Sequence, residues 1–267
     1  MLAEKPPPPG CVPSSVSEFG QSFSFPFRHP AWLGRVLMGA ALEVMPLLLA
    51  LPAILGAAKL RHHFPWQTFA VLPLAALVGF VCRFLVLGYL RRTAKGVLDG
   101  TADGLPAWDR PADDIVEGLK LWLVSVALFL PAIGVTALFT LLFMALTSAK
   151  MAWLPLVVVG PPALVITLFY LPAGLLATVA EEDVLAAFNF ERVTNVIGRA
   201  FGPYAIAFLV ALGAEIVAQL GLLICCVGIF ATRFAAHCVG IHVFATAYRQ
   251  GLPVSPSPTE APVGAGI

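Results

Sequence analysis

Charge is what this chain has least of. Only 12% of its 267 residues are Asp, Glu, Lys or Arg, while 59% are apolar. A soluble domain carries about 25% charge and about 45–50% apolar residues. With so little polar surface available to cover a core, a water-soluble enzyme is excluded and lipid becomes the expected solvent. The formal net charge of +1 leaves no basic footprint for nucleic acid, so no nucleic-acid partner is expected.

Other absences narrow the function further. The five cysteines, Cys11, Cys82, Cys225, Cys226 and Cys238, form no C-x-x-C pair and no even disulfide framework, so buried thiols are expected. The chain has no G-x-S-x-G, H-E-x-x-H, P-loop or dinucleotide fingerprint, and therefore no recognisable catalytic motif and no expected cofactor. His62–His63 stands without a carboxylate or cysteine beside it, so no metal site is expected there. The opening MLAEKPPPPGCVPSS carries no apolar segment of the kind a cleaved signal needs. Residues 1–21 and 251–267, rich in Pro, Ser and Gly, read as tails without fixed structure around one membrane domain, 22–250.

What is present is long apolar runs. Spans are expected over approximately 34–58, 66–90, 119–146, 153–180, 202–223 and 228–249, each close to the roughly 20 residues that cross a bilayer. The last boundary, near Gly228, has the weakest signal because Cys225 to Phe230 contains no polar residue. The expected fold is all-α and integral to the membrane: about six helices in three hairpins. An amphipathic segment on the cytoplasmic side precedes each hairpin. The first is Phe23 to Trp32. In the second, Asp113 and Asp114 cap a helix whose Ile115, Val116, Leu119 and Trp122 share a face. The third has Phe190, Val193, Ile197 and Phe201 on one side and Glu191, Arg192, Asn195 and Arg199 on the other, the pattern of a helix lying in the headgroup region. The unit recurs about every 82 residues, which suggests a threefold repeat.

Orientation follows from the basic residues. Lys5, Arg28, Arg35, Arg91, Arg92, Lys95, Arg110, Lys120, Arg192, Arg199 and Arg249 fall on one side; Lys59, Arg61 and Lys150 fall on the other. Both termini are therefore expected in the cytoplasm, in a bacterial inner membrane or an equivalent one. Trp32, Trp66, Trp122 and Trp153 mark helix starts, where amphipathic rings prefer to sit.

Within the spans a few ionisable side chains remain, and each is a functional candidate because burying it in lipid is costly. They are Glu43, Arg83, Glu215, Arg233 and, one turn beyond Arg233, His237. Glu43 and Arg83 each lie about 12 Å from the cytoplasmic edge at about 1.5 Å per residue. Glu43–Arg83 and Glu215–Arg233 are thus depth-matched. Each pair reads as an ion pair fixing helix register, or as the lining of a polar cavity; Arg233 reads also as a snorkelling side chain. Glu181-Glu182-Asp183 reads as a solvated face or helix cap. Pro46, Pro52, Pro131, Pro161, Pro162 and Pro172 read as packed kinks or as breaks around a site. Ala214, Ala218 and Gly221 give the fifth span a close-packing face.

Short motifs also stand in a fixed order: the aromatic opening through Trp32, then Gly88-Tyr89 with Arg91, then Leu105-Pro106 with Trp108-Asp109. Gly118 with Lys120 follows, and Phe188-Asn189-Phe190 closes the series. In these positions, over roughly Ser22 to Gln250, the chain resembles an integral-membrane family designated domain of unknown function 4013. The resemblance implies a multi-pass membrane protein and assigns no activity. The layout is also similar to the membrane-embedded portion attached to some bacterial glycerophosphodiesterases, although no phosphodiesterase metal motif stands here. The missing catalytic motifs and the amphipathic segments favour a non-catalytic scaffold or accessory to a membrane-protein partner or a second copy. The alternative is a transporter or lipid-handling protein using the buried Glu/Arg pairs, and the third reading is an intramembrane or interfacial enzyme.

Overall fold

The computed structural model describes residues 15–59, 66–146, 153–221 and 228–253. Nearly everything in them is helical: α1 Ser15–Ser24, α2 Trp32–Lys59, α3 Trp66–Leu98, α4 Pro111–Leu146, α5 Trp153–Val158, α6 Gly160–Glu181, α7 Phe190–Arg199, α8 Phe201–Gln219 and α9 Gly228–Gly251. Short 3-10 turns stand at Phe25–Phe27 and Val184–Phe188. Among the described residues, six stretches are long and apolar enough to cross a membrane: α2, α3, α4, α5 with α6, α8 and α9. Cys11, Lys150, Cys225, Cys226, the His62–His63 pair and the expected turn just before Gly228 lie outside the described residues.

The helices lean on each other through small residues. The interior contains Ala94, Ala173, Ala177, Ala207, Ala245 and Ala247, all nearly inaccessible. Lipid tails are as apolar as leucine, so association rests on close backbone approach rather than on burying large side chains. The large aliphatics face outward instead: Leu138, Leu141, Ile166, Leu209 and Ile216 are all more than half exposed. A surface of that kind is stable only against hydrocarbon.

α3 and α9 occupy the middle of the bundle. α3 packs on α2, α4 and α9; α9 packs on α2, α3 and α8. At the α3–α4 crossing two glycines make the approach possible. A Cβ on Gly88 would stand 1.9 Å from the Asp114 carbonyl oxygen, and one on Gly118 would stand 1.8 Å from that of Phe84. At the α8–α9 contact the expected small-residue face is in use. Ala214 and Ala218 are buried, Gly221 lies against Ile229 and Thr232, and the Thr232 hydroxyl donates to the Ala218 carbonyl at 2.8 Å.

Several expectations are revised. The segment expected to lack structure up to residue 21 includes most of α1. The adjoining turn buries Phe25 and Pro26, and the Ser22 hydroxyl sits 2.8 Å from His242 Nδ1 on α9. The capping segment at Asp113–Asp114 is not separate from the third span. Pro111 opens a single helix of 36 residues, with both acids in its first turn, where the helix dipole favours them. The second span likewise runs on through Arg91, Arg92 and Lys95 to make 33 residues. At about 1.5 Å per residue these helices are about 54 and 50 Å long, against a hydrocarbon core of about 30 Å. Each therefore carries its polar turns well beyond the lipid.

α7 stands where the third amphipathic segment was expected, but Val193, Val196 and Ile197 are buried against the rest of the protein. An apolar stripe is satisfied by a protein face as well as by headgroups, and periodicity alone does not choose between them.

The prolines divide by neighbourhood. The helix breaks at Val159, just ahead of Pro161 and Pro162, and continues through Pro46, Pro73, Pro131 and Pro172. At Pro172 a neighbouring side chain mends the backbone. The Tyr204 hydroxyl accepts from the Ala173 N–H at 3.1 Å and donates to the Phe169 carbonyl at 2.8 Å. It thereby satisfies an i, i+4 pair beside the missing proline donor.

Candidate functional site

Two polar constellations stand in the bundle, one at its end and one at membrane depth. The first is built from the loop between α3 and α4, folded back over the helix ends. Tyr89 and Trp108 stack with ring centres 3.9 Å apart and planes 13° from parallel. The Tyr89 hydroxyl donates to the Pro106 carbonyl at 2.9 Å, and the Trp108 indole N–H donates to the Arg35 carbonyl on α2 at 3.1 Å. Arg35 itself donates to the Leu105 carbonyl. Arg92 holds the other flank, reaching the Ala107 carbonyl at 2.8 Å, the Asp114 carboxylate at 2.9 Å and the Asp109 carboxylate. The hydrogen bond from Arg92 holds the Asp109 carboxyl below its ordinary pKa.

Most of the motif positions meet here. Gly88, Tyr89, Leu105, Pro106, Trp108, Asp109 and Gly118 build the loop clamp. Arg91 and Lys120 both reach Glu117, at 3.2 and 2.8 Å. Trp32 stands edge-on to Phe27 at 4.9 Å. Phe190 lies on Tyr170 at 5.3 Å, and the Asn189 side chain caps α7 by accepting from the Arg192 N–H at 3.1 Å. Phe188 ends the 3-10 turn, partly exposed. The polar groups of the clamp are thus largely occupied with one another and with backbone carbonyls. The acidic run is similarly accounted for: Glu181 pairs with Arg192 at 2.8 Å, Glu182 with Lys95 at 3.1 Å, and Asp183 caps the following turn.

The second constellation lies within the spans. His237 on α9 has Nδ1 3.3 Å from Glu43 Oε1 on α2, and Nε2 3.2 Å from Glu215 Oε1 on α8. The two carboxylates approach one imidazole from opposite sides. Glu43 Oε1 and His237 Nδ1 are buried and make no well-aligned hydrogen bond. α2 comes this near α9 because Gly39, one turn from Glu43, lies against the Phe234 ring; a Cβ there would stand 2.4 Å from it.

Neither expected Glu–Arg pair forms an ion pair. Arg83 and Arg233 line a cavity of about 190 Å³ together with Glu43 and His237, and no carboxylate lies within ion-pairing distance of either arginine among the described residues. Sequence position sets the depth of a side chain along its helix. It leaves open which neighbour that helix face meets, and here both faces meet His237. On the other side of the imidazole, Glu215 and His237 border a larger cavity of about 360 Å³, lined elsewhere by side chains such as Leu121, Leu171, Leu175, Phe208 and Phe244, with Arg91 also on its wall.

Arg35, Arg92, Asp114 and Tyr204 are the structural residues that the motif reading passed over. Arg92 had a visible signal, as the second of two consecutive arginines before the acidic pair Asp113–Asp114. Tyr204 had none, because its partner is a backbone gap in another helix.

Six spans and a lipid-facing apolar surface define a multi-pass membrane protein associated with the bilayer. The family described as protein of unknown function (DUF4013) matches residues 71–227, more than half of the chain, and the chain belongs to that family. The motif positions from Gly88 to Phe190 fall inside the match, and Trp32 lies before it. No curated protein and no solved structure matches the chain.

Proposed function

We propose that this protein handles an amphiphilic molecule inside the bilayer, as a carrier or transporter, and that the Glu43–His237–Glu215 line is its working centre. The observation that carries this function is the position of His237 between two cavities of opposite character. One is apolar and about 360 Å³, within the range of small-molecule sites; the other is smaller and charged. Carboxylates and an imidazole at membrane depth are costly to keep, and such groups mark substrate or proton paths. The lysine and arginine distribution supports cytoplasmic termini, with the loop clamp on that side.

Flux of a fluorescent single-chain lipid in proteoliposomes tests the proposal. Glu43→Gln and Glu215→Gln should each slow flux without loss of folded protein. Unchanged flux in both variants would refute the proposal.

A second function, scaffold or accessory to a membrane partner, is favoured by the way the family motifs are spent on a rigid loop clamp rather than on a reactive constellation. Gentle purification from native membranes separates the two. A stoichiometric protein partner supports the scaffold, and a retained lipid supports the carrier.

A further inference from the structure

Arg83 and Arg233 stand within the spans with part of each residue exposed at the edge of the bundle, and the structure gives neither a carboxylate partner among the described residues. Both line the same cavity of about 190 Å³, whose wall also includes Glu43, His237, Cys82 and Pro46. Two guanidiniums and one carboxylate stand on that wall. The carboxylate is engaged elsewhere, since Glu43 Oε1 lies 3.3 Å from His237 Nδ1. A guanidinium offers a planar fork of N–H donors that matches carboxylate and phosphate oxygens. The cavity has room for such a group with water, each water taking about 30 Å³ of liquid.

We infer that the cavity between α2, α3 and α9 is an oxyanion site, in which a carboxylate or phosphate group takes the place of the missing acid beside Arg83 and Arg233. His237 forms part of its wall. The site goes beyond the proposed carrier function: it lies on the other side of the imidazole from the apolar cavity, and its ligand is defined by charge rather than by an apolar chain. The shared chemistry has two sources, a free anion or the headgroup of an anionic lipid.

The full chain, purified in detergent and in phosphatidylcholine nanodiscs, provides the test. Thermal unfolding is followed with inorganic phosphate or acetate added, and again in nanodiscs containing phosphatidic acid. The wild type should be stabilised by at least one of these probes. Stabilisation by inorganic phosphate or acetate identifies a free anion; stabilisation by phosphatidic acid alone identifies a headgroup. Arg83→Gln and Arg233→Gln should each weaken the apparent affinity about ten- to a hundredfold, as expected for loss of a hydrogen-bonding charge. If either variant fails to fold, Arg83→Lys and Arg233→Lys keep the charge and lose the fork, and should bind several-fold more weakly than wild type. Native mass spectrometry of the wild type, which depends on no variant, should retain the anion. No stabilisation by any of the three probes, or equal stabilisation of wild type and the double glutamine variant, overturns the inference. Lipid flux that still depends on Glu215 in that case leaves the carrier function standing.

Discussion

His237 reaches across the α8–α9 interface to Glu215, Nε2 to Oε1 at 3.2 Å, while its other ring nitrogen faces Glu43 on α2. Removing the imidazole leaves two carboxylates facing an empty space in the bundle. His237→Leu should therefore lower stability by about 1 kcal/mol, chiefly through Glu43, because Glu215 keeps 36% of its side chain exposed. Adding Glu43→Gln and Glu215→Leu should recover part of the loss, because the stranded carboxylates are gone. Unfolding in detergent, read by tryptophan fluorescence, checks both. Additive losses in the triple variant would mean that the three groups do not act together.

Gly118 allows α4 to touch the backbone of α3. Gly118→Ala puts a methyl group where the Phe84 carbonyl already stands, and overpacking of this kind costs about 1–3 kcal/mol. Gly134, with open space around its Cβ position, is the control on the same helix. A midpoint shift in Gly118→Ala no larger than in Gly134→Ala would refute the close crossing.

Tyr204→Phe keeps the ring and deletes the hydroxyl that joins Ala173 N–H to the Phe169 carbonyl. The expected loss is about 1–3 kcal/mol. Restoring the helix donor with Pro172→Ala should reduce that loss. A double-mutant cycle measures the coupling, and a coupling of zero would show that the hydroxyl does not serve the proline.

Arg92 binds Asp114, whose side chain is 5% exposed, and Asp109, whose side chain is 57% exposed. Arg92→Ala should cost about 3 kcal/mol, the low end of the range for breaking a buried pair, because Arg92 keeps some solvent contact. Arg92→Ala with Asp114→Asn should cost less than Arg92→Ala alone. Equal losses would mean that the buried carboxylate is not the partner that matters.

The Asp109 contact should be sensitive to acid. Its pKa is lowered in the folded protein by the Arg92 hydrogen bond, so its contribution is fully present above the unfolded value of about 3.9. It is lost as pH falls through the lower folded value. Trp108 fluorescence should report loosening of the loop below about pH 4. The difference between wild type and Asp109→Asn should shrink over that range. A difference that stays constant into acid would exclude Asp109 as the titrating group.

Much of the fold was legible in the sequence because lipid is an undemanding solvent. Runs of about 20 apolar residues have few alternatives to helices when no water is present to satisfy the backbone. Phe201 accordingly begins a helix where its apolar run begins. Helix ends were less legible. Arg91 and Lys95 fall beyond the expected end of the second span, yet they continue α3, since nothing in the sequence breaks the helix before Gly100, where φ is +70°.

The candidate site was legible in membership and illegible in connection. Glu43, Arg83, Glu215, Arg233 and His237 stand out in the sequence because each violates the apolar rule of its span. The sequence by itself thus determined that this is a multi-pass helical membrane protein, and which side chains are costly enough to require explanation. Only the tertiary structure decided that both glutamates meet one histidine, that both arginines share a cavity without a carboxylate at ion-pairing distance among the described residues, and that the motif residues clamp a loop. Depth is set by position along a helix, which the sequence records. Partnership depends on helix rotation and on contacts between distant segments, such as Gly39 against Phe234 and Gly88 against Asp114, and these exist only once the helices have packed.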